Sequence, residues 1–296
     1  MVRRYTASIF SIFDENKAME ILNIDNRGNK HAHDDLQGIN TGLTKLNELT
    51  GGWRDGQLIL FASGPLMKKT ELMIFFAKTA ARDGFPVVIC THESHEKTTK
   101  RLILTGTNLD EGIFNRKGIS ASTWMDLSKE TKAVSELPIQ IFDLADVPGN
   151  LLKEKARNLK GQGKCSIILI DHLQVVGLKE NGDQEDLRIE ATLREARSIC
   201  KEFNVPVILL SQVNRDAYRR TDTRPILRDL PVYQECFADI VVFLDQQEQD
   251  QIQTNDQGKS TKWHGELIVV KNREGGIGNI PFTCNDLMTE ISSKSK

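Results

Sequence analysis

Lys69 and Thr70 close the turn SGPLMKKTE (63–71), which follows the apolar run QLILFA (57–62) and precedes a helical pattern. A strand, a tight turn holding Lys-Thr and then a helix is the layout of a phosphate-holding loop. Backbone N–H groups and the helix amino terminus surround the phosphates, the lysine reaches the terminal ones, and the hydroxyl binds magnesium. The strict pattern is broken twice. Ser63 stands at the first glycine position, with Gly64 one place later, and Lys68 stands just before Lys69, where glycine is preferred. A left-handed backbone there costs a residue with a side chain roughly 1–2 kcal/mol. The stretch makes Ser63, Gly64, Pro65, Leu66, Met67, Lys68, Lys69, Thr70 and Glu71 candidates for a nucleotide-binding turn. The plain alternative is a lysine-rich strand-to-helix turn.

Three further segments place polar groups at the ends of apolar runs. SIILIDHLQ (166–174) ends in Asp171, where a carboxylate can orient magnesium. PVVICTHESHE (86–96) leads into Glu93, a candidate base for an attacking water. PVILLSQVNR (206–215) leads into Gln212, a candidate sensor of a γ-phosphate. Each has a dull counterpart in a helix cap, a solvated Glu or a turn Gln. In an open parallel sheet, however, ligands bind beyond the carboxyl ends of the strands, where all four segments converge.

The elements that must position these residues are legible as an α/β pattern. Besides the four runs above, PIQIF (138–142), DIVVFL (239–244) and GELIVVK (265–271) read as strands, and TELMIFFAKTAARDG (70–84) and EDLRIEATLREARSICKEFN (185–204) as helices. Runs that are apolar almost throughout suit a parallel sheet covered on both faces by helices. Upstream, YTASIFSIFDENKAMEILNI (5–24) is amphipathic, with Ile9, Phe10, Ile12, Phe13, Met19 and Leu22 on its apolar face, and DNRGNKHAHDDLQG (25–38) is polar. The chain therefore divides into a helix and tether over 1–37 and a globular domain over 38–296. The apolar helix face needs a cover, either its own domain or a neighbouring subunit. The run QQEQDQIQTNDQGKSTK (246–262) reads as an exposed hairpin loop.

Composition narrows the classes. A chain of 296 residues with 39% hydrophobic and 27% charged residues can bury a sizeable core. No apolar run has membrane-spanning length, and MVRRYTASIFSIF lacks the apolar core of a signal peptide. Cys90, Cys165, Cys200, Cys236 and Cys284 are scattered and odd in number, which reads as buried small hydrophobes in a reducing, cytoplasmic setting. A formal net charge of −2 offers no basic excess, so any nucleic-acid contact must come from local patches or from a ring that concentrates a few cations. His92 and His95 lack the H-E-x-x-H spacing, and no metal other than magnesium is expected.

From about residue 38 to 284 the chain resembles the carboxy-terminal motor domain of the DnaB-type replicative helicases, within the RecA-like ATPases. GINTGLTKLNELTGGWRDGQLILFAS looks like the entry segment and first strand, GPLMKKT the Walker A, THES the catalytic-glutamate segment and LIDHLQ the Walker B. SQVNR, RPILRDL and VVKNREGGIG follow in family order and fit a helicase better than a recombinase-like or clock-like relative. The resemblance implies an ATP-driven, ring-forming single-strand DNA translocase or helicase using ATP and Mg2+. Lys69 would stabilise phosphate charge, Thr70 and Asp171 would hold the metal, Glu93 would activate water and Gln212 would report γ-phosphate loss. Arg273, with Lys271 beside it, would act on the ATP of the adjacent subunit. Partners implied are single-stranded DNA, further copies in a hexameric ring, and a primase or loader, with no membrane.

The departures point to a second reading. Lys68 replaces the Walker A glycine, and RDLPVYQECFAD (228–239) is shorter than the family's loop and lacks its arginine and glycine-serine turn. The family's globular amino-terminal domain is expected to be absent, with 5–24 resembling the linker helix that packs on the next subunit. Lys68 and the shortened loop suit a nucleotide-binding structural or regulatory module with impaired hydrolysis. DNA contacts would fall to Lys179 and Asn181 in GLKENGDQEDLR (177–188), with Arg188 further off, and to Arg228.

Overall fold

The computed structural model describes residues 36–65, 67–107, 109, 111–116, 118–144, 149–176, 185–213, 217, 220–245, 263–284 and 291–293. Nearly all belong to the second of two units, Gly38–Lys296. The amphipathic stretch 5–24, the tether up to residue 35, Leu66, Lys179, Asn181 and the run 246–262 lie outside the described residues.

The sheet has nine strands among the described residues, in the order β3-β2-β4-β5-β1-β6-β7-β8-β9. Strands β1 (Leu58–Ser63), β2 (Val87–Thr91), β3 (Ile139–Asp143), β4 (Ile167–Asp171), β5 (Val207–Gln212) and β6 (Ile240–Asp245) are mutually parallel. Strands β7 (Trp263–Asn272), β8 (Gly278–Cys284) and β9 (Ile291–Ser293) extend it antiparallel from β6. Each parallel strand begins and ends one residue later than its apolar run. Pro86, Pro138 and Pro206 lack the N–H a ladder needs, so β2, β3 and β5 open just after them. At the other end each strand takes in one polar residue: Ser63, Thr91, Asp143, Asp171, Gln212 and Asp245. The register sets Ser63 beside Gln212, and Thr91 between Asp143 and Asp171, so the carboxyl edge is a polar rim on an apolar sheet.

Alternation along β1 shows how both faces are filled. Leu58, Leu60 and Ala62 join a core with Leu152, Ala156 and Leu159 of α5 (Gly149–Gly161) and Ile189, Leu193, Ala196 and Ile199 of α6 (Glu185–Phe203). Ile59 and Phe61 face the opposite way, onto Leu46 of α1 (Thr44–Thr50), Trp53, and Leu72, Met73, Phe76 and Ala80 of α2 (Lys69–Arg82). Trp53 packs edge-on against Phe61 and Phe76 at 5.8 and 5.2 Å, which anchors the entry segment beneath α2. A small satellite core of Ile103, Leu104, Ile113 and Leu127 joins α3 (His95–Leu104) to α4 (Ala121–Ser135).

Several expectations are corrected. β8 and β9 had no strand signature, because Pro281 interrupts GNIPFTC and proline argues against a paired strand. The stretch 228–239 is not a plain loop: a 3-10 turn (Leu227–Asp229) leads into α7 (Val232–Phe237) after Pro231. Cys90, Cys165, Cys200 and Cys284 are buried as expected, with the Cys90 and Cys200 thiols pushed up to about 12 by burial, but Cys236 is exposed.

Candidate nucleotide site

Helix α2 starts at Lys69, directly behind the carboxyl end of β1. The turn between them folds Lys69 inward: its Nζ donates to the carbonyl oxygens of Gly64 (3.2 Å) and Ser63 (3.4 Å). Burial pushes the Lys69 ammonium down from its usual range, with the charge of Asp171 opposing. Thr70 Oγ1 donates to Asp171 Oδ2 at 2.6 Å, joining the start of α2 to the end of β4 across the sheet edge. Asp171 is 2% exposed, and burial pushes its carboxyl up against the pull of the Thr70 hydrogen bond. A hydroxyl and a carboxylate in contact, with an ammonium on the same turn, is a hard-oxygen donor pair that fits Mg2+ at a phosphate group.

Lys68 occupies the helix N-cap with φ 52° and ψ 35°, so the turn does require the left-handed conformation that glycine adopts freely. Replacing Lys68 by glycine is expected to stabilise the fold by about 0.5–1 kcal/mol, since relief of roughly 1–2 kcal/mol is partly offset by the freedom glycine gains in the unfolded chain. Lys68→Ala keeps a Cβ and should gain nothing. Urea unfolding of the two variants checks this, and equal midpoints would show that the turn stores no strain.

Glu93 follows β2, its N–H bonded to Thr91 Oγ1 at 3.1 Å. Its carboxylate is held by Lys97 Nζ at 2.5 Å and by Arg101 Nε and Nη2 at 3.0 and 3.2 Å. Burial pushes this carboxyl up, but the bond from Lys97 and the charge of Arg101 outweigh it and hold Glu93 below the usual range. Arg101 also pairs with Glu71 at 2.5 Å and Glu111 at 3.4 Å, so the Glu71 carboxylate faces this cluster. Neither cation was singled out in the sequence. The Glu93-to-Lys97 spacing of four, next to a helix start, was the available signal.

Gln212 ends β5 beside Ser63, and its N–H donates to Gln174 Oε1 at 3.3 Å. Gln174 Nε2 donates to Ser211 Oγ at 3.1 Å, and Ser211 Oγ donates to Gln234 Oε1 at 2.9 Å. This polar chain runs from the site rim into α7 and was missed because its members are far apart in sequence. Arg188 is corrected: it is buried and donates to the Gln174 and Val176 carbonyls at 2.6 and 2.9 Å, which leaves it unable to meet DNA phosphate. Arg228 is exposed on the 3-10 turn.

Lys271 and Arg273 are not brought to this site. Asn272 pairs with Ile240 at the start of β6, the amino-terminal end of the parallel strands. Lys271 Nζ donates to the Glu235 carbonyl at 2.7 Å, and Arg273 Nη2 to the Cys236 carbonyl at 3.1 Å, with Asp239 Oδ1 3.5 Å from Nη1. Arg273 stands at the start of β1, about 17 Å from the turn at ~3.3 Å per residue, and Lys271 lies abreast of Leu60, part-way along that strand. His92 meets His172 edge-on, ring centroids 5.1 Å apart. Burial, helped by the neighbouring charges of His92 and Lys69, pushes the His172 imidazole down to about 4.

A phosphate-type turn after β1 and a carboxylate at the end of β4, with β5 between them, mark a RecA-like α/β domain. The chain belongs to the family described as DnaB-like helicase C terminal domain, whose model matches residues 38–293. It is 27% identical over 273 residues to the replicative DNA helicase DnaB of Mycoplasma pneumoniae, covering 87% of this chain and 56% of that protein. It is 32% identical over 213 residues to a probable replicative DNA helicase of Guillardia theta, covering 71% and 35%. A solved structure titled as an ATPase domain superposes with a TM-score of 0.79 at 26% identity, covering 100% of this chain and 99% of that one. Another, titled as a DnaB-like replicative helicase and its interactions with primase, gives 0.78 at 28% identity, covering 89% and 64%. The chain spans about half the length of the first bacterial relatives it matches. Among the described residues no helix is long and apolar enough to cross a membrane.

Proposed function

We propose that this chain is the ATP-hydrolysing motor of a ring helicase that moves on single-stranded DNA. The observation that carries the reading is the Thr70–Asp171 contact of 2.6 Å, made beside Lys69 and within one sheet edge of Glu93 and Gln212. Thr70 and Asp171 would hold Mg2+, which would supply charge neutralisation on the phosphates. Lys69 leaves the Gly64 and Ser63 carbonyls for the phosphate oxygens, where the start of α2 adds its N–H groups. Glu93 orients the attacking water and accepts its proton. The Gln212–Gln174–Ser211–Gln234 chain then couples the emptied site to α7 and the Arg228 turn, on the side proposed to meet DNA.

The site lacks a cation for the leaving phosphate from its own Arg273 or Lys271, and a neighbouring copy supplies both. The ring that this requires is supported by an open groove of about 590 Å³ between the 3-10 turn Glu111–Asn115, with the stretch after it, and α4, its apolar lining made by Ile113, Phe114, Ile119, Trp124 and Leu127. Trp124 is 63% exposed there. The apolar face of the segment 5–24 from a neighbouring copy is its proposed occupant. The domain boundary near residue 38, a cytoplasmic location, and a primase or loader partner belong to the same proposal.

Steady-state ATP hydrolysis with and without single-stranded DNA tests it. Lys69→Ala is expected to abolish a DNA-stimulated turnover, a loss of about 10²-fold or more. A nucleotide-binding module with impaired hydrolysis is the second reading, favoured by the left-handed Lys68 and by the two cations that hold Glu93. No turnover in the parent, with turnover appearing in Lys68→Gly, decides for the module.

A further inference from the structure

Beside the proposed magnesium ligands lies a group of side chains with a different chemistry. One ring nitrogen of His92, one of His172 and one carboxylate oxygen of Asp171 all lie within 4.8 Å of one another. His92 belongs to the turn after β2, and His172 follows Asp171 at the end of β4, so neighbouring strands fix their approach. The two oxygens of Asp171 face different partners. Oδ2 accepts from Thr70 at 2.6 Å, whereas Oδ1 lies 3.7 Å from His172 Nδ1.

We propose that His92, His172 and Asp171 Oδ1 form a second cation site, one that takes a borderline divalent ion of the zinc class rather than magnesium. Magnesium demands oxygen donors, and Thr70 with Asp171 Oδ2 offers them. Imidazole nitrogen suits zinc and the late first-row ions, and Oδ1 has the His172 Nδ1 atom 3.7 Å away. Ligands about 2.0–2.2 Å from a tetrahedral zinc stand roughly 3.3–3.6 Å apart, so the three side chains draw together on binding, and the exposed His92 has room to move. His92 also has the outer partner that a ligating histidine uses. Its Nδ1 lies 3.2 Å from the Asp171 carbonyl oxygen, so a proton on Nδ1 donates there and the Nε2 lone pair is left for the ion. The fourth position falls to water. The bland alternative is an edge-on aromatic pair at a strand end, which binds nothing.

The site shares Asp171 with the nucleotide reading but needs no hydrolysis. The test is calorimetric titration of Zn2+ into the full chain, in buffer free of magnesium and nucleotide. His31, His33, His95, His264 and the exposed Cys236 also offer zinc ligands, so the decisive quantity is the difference from each variant. His92→Ala, at an exposed position, is expected to lose one equivalent or to weaken it at least about tenfold. His172→Asn, confirmed as folded by circular dichroism, should do the same, while His95→Ala keeps that equivalent. Zinc isotherms of His92→Ala and His172→Asn that match the parent overturn the site. Mg2+–ATP binding is measured in parallel on the parent: if it is present while the zinc difference is absent, the second site fails and the nucleotide reading stands.

Discussion

Alanine at Arg273 is expected to lower ATP turnover by about 10³-fold or more while each chain still binds nucleotide, the size of effect seen when a trans-acting arginine is removed. The geometry makes the prediction specific. Arg273 lies at the amino-terminal end of β6, beside Asp239, whereas Lys69 follows the carboxyl end of β1. An arginine that far from its own turn acts on another copy or not at all. Mixing separates these outcomes. Arg273→Ala chains keep Glu93, and Glu93→Gln chains keep Arg273, so each is inactive alone. In a mixed ring the interface pairing an intact Glu93 with an intact Arg273 is competent, roughly one interface in four at equal proportions, because a head-to-tail ring places different surfaces at each contact. Turnover should therefore reappear on mixing. A Trp124→Asp change in both partners should remove that rescue and lower the sedimenting mass, since it puts charge into the groove proposed to receive segment 5–24. Full activity of Arg273→Ala alone would sink the trans assignment. The variant is not expected to unfold, because half-exposed Arg273 loses a bond to the Cys236 carbonyl and a contact with Asp239, which Arg197 still holds.

What the sequence disclosed depended on whether a signal was local. The apolar runs located seven strands to within a residue or two, because burial on both faces leaves little room for polar residues. Asp171 and Gln212 could be placed at strand ends because each stands where an apolar run stops, and Lys69 and Thr70 at a helix start because a helical pattern follows the turn after such a stop. Lys68 was legible as an anomaly, and its φ of 52° gives the anomaly a physical basis. Relations across the sheet were not legible. Nothing in THESHEKTTKR shows Arg101 gripping Glu93 from the far end of α3, or Glu71 reaching the same guanidinium from α2. Nothing local pairs His92 with His172, on a different strand end and far along the chain. Arg188 misled for the same reason: an arginine after an acidic loop suggests solvent, whereas its helix turns it onto two carbonyl oxygens. β8 was hidden by Pro281.

Lys78 is the most consequential of the residues that local reading passes over. It lies mid-way along α2 among apolar positions, 4% exposed, and its ammonium donates to the Leu102 carbonyl at 3.0 Å, Thr105 Oγ1 at 3.2 Å and Glu130 Oε1 at 2.5 Å. Burial pushes this lysine down from its ordinary range, with Glu130 opposing. Three helices therefore meet on one charge: α2, the end of α3, and α4. Gly106 admits the carboxylate, since a Cβ there would stand 1.9 Å from the Glu130 carboxyl carbon. Lys78→Met fills a similar volume but leaves Glu130 with Arg82, at 3.7 Å, as its remaining cation. The expected cost is about 3 kcal/mol in urea unfolding, the low end of the penalty for breaking a buried pair, because Arg82 still faces the Glu130 carboxylate. The double change Lys78→Met with Glu130→Leu removes both charges and should cost less than Lys78→Met alone. A double variant that is no more stable than the single would mean that packing, not charge, sets the penalty. Helix α2 begins at Lys69 and α3 carries Arg101, so the same lock holds the turn and the Glu93 clamp in register. Lys78→Met should therefore lose nucleotide binding well before the sheet itself melts.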